Sequence, residues 1–196
     1  MKKMFMSSVL PALMITTFST FASEKGPESV TVDGGTINFT GTIVAAPCAV
    51  DVDNNNATVM LGQVATNQLA AKGDSSSAVP FSIKLVGCDL ANNEVLDSES
   101  ANYTKAAITF NGTTDGDDST LALTTSSSGE MKAKNVGIQI LQNNKPLKID
   151  GSTESKAASL INGNNEIPFS AVYVATTGKA VAGTGNASVS FRVTYQ

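Results

Sequence analysis

Two cysteines and a scatter of carboxylates are the residues best equipped for chemistry here, because the chain contains no histidine. Without an imidazole, Ser-His-Asp and Cys-His nucleophiles and most zinc or iron centres are excluded together. Asp115-Gly116-Asp117-Asp118 has the look of a calcium loop, but lacks the glycine at position six and the glutamate at position twelve. Gly183-Thr184-Gly185 lacks the rest of a dinucleotide turn, and Gly178-Lys179 is followed by Ala180 rather than Ser or Thr. The remaining acids sit among turn-formers, as in Asp97-Ser98-Glu99, where they read as solubility rather than a paired acid and base. The expectation is no catalytic residue, no metal, no cofactor, and no enzyme.

Cys48 and Cys88 need a compartment before they can be read. Residues 1–22 supply one: Lys2 and Lys3, an apolar stretch from Met4 to Phe21, then Thr20 and Ala22 as the small residues read by a signal peptidase. Pro11 breaks the stretch, which falls short of the roughly 20 apolar residues that a span requires. Cleavage after Ala22 is expected, with no retained membrane anchor. In an oxidising compartment two cysteines read as one structural disulfide. Closing a loop of about 40 residues stabilises a fold by roughly 4 kcal/mol in the chain-entropy model. A metal site or a redox pair are the competing readings, and neither the missing histidine nor a spacing unlike C-x-x-C favours them.

Cleavage would leave 174 of the 196 residues, enough for one domain with a real core. Loss of Lys2 and Lys3 moves the formal charge from −4 to −6, and Arg192 is the only arginine. Nucleic acid and anionic membrane surfaces, which need a basic stripe, are disfavoured as partners.

Strand periodicity runs through nearly every apolar segment. Gly35, Ile37, Phe39, Gly41 and Ile43 share one face near the front, and Ala187, Val189, Phe191, Val193 and Tyr195 share one near the back. Between them, strands are expected at Ala57–Val64, Pro80–Val86, Ala106–Phe110, Thr120–Thr124, Val136–Gln142, Pro146–Ile149 and Glu166–Thr176. Asn111-Gly112, Asp115-Gly116, Asn143-Asn144-Lys145, Asp150-Gly151 and Asn162-Gly163-Asn164 punctuate them as turns. Val64–Lys72 and Lys156–Ile161 carry the only helical signal, a short turn each. The class is all-β, an antiparallel sandwich or barrel in one domain.

The run Gly34–Val50, with Pro47-Cys48 near its end, resembles the start of type 1-like fimbrial major subunits of the chaperone–usher pathway. Leu61-Gly62-Gln63-Val64, Phe81–Cys88, Asn135–Ile140, Ile167-Pro168-Phe169 and the ending Phe191–Gln196 resemble the same family in the same order. The resemblance implies an incomplete immunoglobulin-like β-sandwich lacking its last strand. A donor strand from a neighbouring subunit would complete it, after a periplasmic pilus chaperone and the outer-membrane usher have handled the chain. It assigns 23–44 to an N-terminal extension and 45–196 to the sandwich. Gly35, Ile37, Phe39, Gly41 and Ile43 become the donor residues, Gly41 giving close backbone approach. Gly183, Ala187, Val189, Phe191, Val193 and Tyr195 become the chaperone-recognition and acceptor-groove edge.

The expected function is a structural subunit that polymerises head to tail with copies of itself in a fimbria on the cell surface. The competing readings are a minor adapter subunit of that pathway and a monomeric carbohydrate-binding sandwich, the latter without an aromatic cluster to stack sugars. Residues 90–105 are expected to be a surface insertion.

Overall fold

The computed structural model describes residues 26, 28–54, 57–90, 103–125 and 129–196. The expected signal and its cleavage point, most of the 90–105 insertion, and Ser126–Ser128 lie outside the described residues. The chain divides into two units, Met1–Gly41 and Thr42–Gln196.

In the first unit, residues 28–41 have no regular secondary structure and are exposed. The strand expected from Gly35 to Ile43 is therefore not formed. The alternation is present, but a strand is held by ladder hydrogen bonds to a neighbour, and here the segment has none.

The second unit is all-β. Its strands are β1 (Ala49–Val50), β2 (Val79–Cys88), β3 (Lys105–Gly112), β4 (Thr120–Ala122), β5 (Val136–Gln142), β6 (Lys145–Pro146), β7 (Asp150–Glu154), β8 (Ala158–Ser159), β9 (Gly163–Ala175) and β10 (Val189–Tyr195). One sheet runs β1-β2-β9-β5-β4 with β6 beside β5, and the other runs β10-β3-β7 with β8 beside β3. Every pairing between these strands is antiparallel. The tight turn between β5 and β6 uses Asn143 and Asn144 at φ 52° and 61°, the left-handed pair a two-residue hairpin demands.

Alternation sets the core. Ile83 and Leu85 of β2, Ile167 and Phe169 of β9, and Ile138 and Ile140 of β5 turn inward from the first sheet. Ile108 and Phe110 of β3 answer from the second, and Phe110 meets Phe169 edge to face across the layers, centroids 5.2 Å apart. Strand β3 is buried along almost its whole length, because it is flanked by β10 on one side and by β7 and β8 on the other.

Three expectations about elements change. Ala57–Val64 is not a strand; it has the right alternation but no pairing partner among the described residues. The strand expected at Pro146–Ile149 is not formed: β6 is Lys145–Pro146 and shares only Pro146 with it, and the strand that follows is Asp150–Glu154, too polar to be read from apolar periodicity. The helical signals yield no helix: 64–72 forms single turns closed by Gln68 and Leu69 N–H to the carbonyls of Ala65 and Thr66, and 156–161 contributes β8. The one helical element described is a 3-10 turn at Val52–Asn54.

Candidate functional site

One edge of the sandwich is left open. β10 is the outer strand of its sheet, paired with β3 through Val189–Gly112 to Tyr195–Ala106, and its far side has no strand neighbour among the described residues. Along that side lies a groove of about 1100 Å³. One wall is 57–62 and the other is 185–191. Phe81, Ile83, Phe110, Ile138, Ile140 and Tyr173 floor it, all from core strands.

Chemically the groove is apolar and uncharged. No Asp, Glu, Lys or Arg lines it. Its one titratable group is Tyr173, whose phenol is pushed up by burial and donates to the Gly185 carbonyl at 2.8 Å. Such a site offers no acid, base or nucleophile at neutral pH. It offers an apolar channel between the 57–62 backbone, without a ladder partner among the described residues, and β10, which is paired with β3 on one side alone, the setting for strand addition.

Its walls are held differently. Asn186 is fixed by the Thr124 N–H and hydroxyl, at 2.7 and 3.1 Å. Gly185 lies so close to the Tyr173 ring that a β-carbon would collide with it. The 57–62 wall makes no backbone hydrogen bond to another strand among the described residues. Val59 and Leu61 are half-buried, while Met60 is 83% exposed.

Ala187, Val189 and Phe191 line the groove, each half-buried and packed against the core. Val193 and Tyr195 lie on the same strand but beyond the lining. The Tyr195 hydroxyl donates to the Cys48 carbonyl at 3.0 Å, and burial raises its pKa. Gly183 is not in the lining. It presses against the backbone of 131–133, where a side chain would collide with main-chain atoms, and Thr184 on one side exchanges hydrogen bonds with Met131 and Ala133. Cys48 and Cys88 are bonded and buried, joining the start of β1 to the end of β2. Asn165 adds an amide contact to the Cys88 sulfur at 3.2 Å.

Among the extension residues, Ile37, Phe39 and Ile43 are 78%, 90% and 102% exposed, an apolar stripe in water. Gly41 has nothing within contact distance of where its side chain would be. The acidic run is a loop: Asp117 accepts from Ser119 and Thr120, and Asp118 pairs with Lys148 at 2.7 Å.

The wall at 57–62 and the floor were not assigned to the site from sequence. Ala57–Val64 alternates like any core strand, and nothing in its pattern says that its partner is missing.

Fold and site together define a β-sandwich whose strand β10 has no outer neighbour among the described residues and stands beside an apolar channel. The model of the family "Fimbrial protein" matches residues 37–196. A fimbrial subunit type 1 of Klebsiella pneumoniae is 42% identical over 189 residues, covering 96% of this chain and 95% of that one. The type-1 fimbrial protein A chain of Escherichia coli K12 is 43% identical over 191 residues, covering 96% and 95%. A solved chaperone–usher pilus has the same fold, with TM-score 0.67 over 87% of this chain and all of that one, at 24% identity. The chain belongs to the fimbrial protein family, whose members are structural subunits of bacterial surface fimbriae.

Proposed function

We propose that this subunit polymerises by donor-strand exchange, its own stripe of Gly35, Ile37, Phe39, Gly41 and Ile43 filling the groove of a neighbouring copy. The observation that carries the reading is the coexistence, in one chain, of an apolar groove beside an unpaired β10 and an exposed apolar stripe with strand periodicity. Each is a liability alone, since an open edge and a bare stripe both invite aggregation. Together they are complementary, and the contact is head to tail, so it propagates as an open filament. Gly41 fits the same reading: its lack of a side chain answers to nothing in its own chain, as expected of a glycine that must approach another backbone closely.

The pathway follows from the same exposure. Residues 1–22 direct export, the extension begins at Ser23, and a periplasmic chaperone covers β10 until an outer-membrane usher hands the groove to the next subunit. Ala187, Val189 and Phe191 contact the incoming strand, while Gly183, Val193 and Tyr195 shape the edge that carries them. With 40–43% identity to fimbrial subunits over nearly the whole chain, the rod subunit is favoured over a minor adapter.

The test is assembly of the exported chain, followed by electron microscopy, for the unsubstituted protein and Phe39→Asp. The unsubstituted chain forms filaments. Phe39→Asp folds, since its side chain is exposed, yet forms none, because a carboxylate would be buried in an uncharged groove. Filaments from Phe39→Asp at the normal rate would sink the reading.

A further inference from the structure

We propose that Met60 and Met131 are oxidation sites, two surface thioethers that take an oxygen atom from a peroxide-class oxidant and leave the fold intact. Methionine is among the residue types most often buried in folded proteins. Here the opposite holds. Of the six methionines, Met1, Met4, Met6 and Met14 lie in the segment expected to be cleaved, so Met60 and Met131 are the ones the mature chain would keep. They are 83% and 80% exposed. Among the described residues the buried core cluster contains no methionine. It is built from aliphatic and phenylalanine side chains with the bonded pair Cys48 and Cys88.

Each thioether stands where packing does not need it. Met60 borders the groove, but Val59 and Leu61 on either side are half-buried, so exposure alternates and Met60 takes the outer side. Met131 works through its backbone: its carbonyl accepts from the Thr184 N–H at 3.0 Å and lies against Gly183. Neither role uses the sulfur. Other oxidisable groups are withdrawn. The chain has no tryptophan and no histidine, both cysteines are in the disulfide, and the three tyrosines are half-buried. An oxidant arriving from solvent therefore meets the two thioethers first. The sulfur lone pair attacks one oxygen of hydrogen peroxide; the O–O bond breaks as the S–O bond forms. Sulfur is oxidised to the sulfoxide, the peroxide is reduced, and its second oxygen leaves as water after taking the proton of the first. A sulfoxide is polar, which harms a core but suits a side chain already in water. The surface is thus an oxidant sink that spares the core. This is a property of the single chain and does not depend on strand uptake.

The experiment treats the full exported chain with hydrogen peroxide, folded and in urea, and follows each peptide by mass spectrometry. One oxygen is expected on Met60 and one on Met131, at the same rates folded as unfolded, with the tyrosines unmodified. The urea midpoint of the doubly oxidised chain should match that of the untreated chain. Met60→Leu and Met131→Leu should each lose one oxygen, and the double variant should keep the parent's midpoint and take up none. Protection of either site in the folded chain overturns the proposal, because that thioether is then covered. A lower midpoint after oxidation overturns it too, since the fold would not have been spared. Uptake of oxygen by the double variant does the same, because the oxidant would then have another target.

Discussion

Gly183 has no side chain because the backbone of 131–133 occupies the space one would need. Gly183→Ala should therefore cost about 1–3 kcal/mol, as overpacking against main chain does, read as a lower urea midpoint. Tyr195 acts through its oxygen as well as its ring. Tyr195→Phe should cost about 1 kcal/mol for the lost hydrogen bond to Cys48. Burial raises the Tyr195 pKa above 10.0, so the folded state favours the protonated phenol. Its contribution is complete below the unfolded pKa and is lost as pH rises through the folded value. Urea melts at about pH 8 and about pH 11 should show a smaller alkaline loss in Tyr195→Phe than in the parent. Asp117 has the opposite sign. Burial pushes its carboxyl up, but hydrogen bonds from Ser119 and Thr120 outweigh this and lower it below 3.8. That stabilisation is present above the unfolded pKa and disappears as pH falls through the folded one.

At the scale of elements, the disulfide ties β1 to β2 at the end of the sandwich where β10 finishes. Replacing both cysteines by alanine should cost roughly 4 kcal/mol, with the loss measured by chemical unfolding of the monomeric form. The strands that build the core were legible in sequence, since Pro80–Val86, Ala106–Phe110, Val136–Gln142 and Glu166–Thr176 alternate or run apolar and end in turn residues. Their boundaries moved, as Glu166–Thr176 became Gly163–Ala175, because β9 extends to pair Gly163 with Cys88. Polar strands were not legible: β7 is Asp-Gly-Ser-Thr-Glu, an edge strand whose side chains face water. Half of the groove was legible. The β10 stripe announced one wall, but the wall at Ala57–Val64 and the floor depend on which strand lacks a neighbour, and that is a property of the topology rather than of any segment.

At the scale of the whole molecule, the open edges of the second sheet are unlike each other. β7 is short and polar, a surface that discourages pairing, whereas β10 presents a seven-residue edge above an apolar channel. A fold that meant to stay monomeric would blunt both. The Tyr173 and Gly185 contact and the bonded Asn186 keep one side of the channel in shape, while the 57–62 wall is left without ladder partners among the described residues. A strand laid between the walls would supply those partners on both sides and cover the floor. That is the central claim, and removing the stripe tests it most directly. A chain beginning at Val44 should aggregate or melt at low temperature alone, and become a heat-stable monomer when a peptide of residues 23–43 is added. If that shortened chain is equally stable with and without the peptide, the sandwich is already complete, and the account is contradicted.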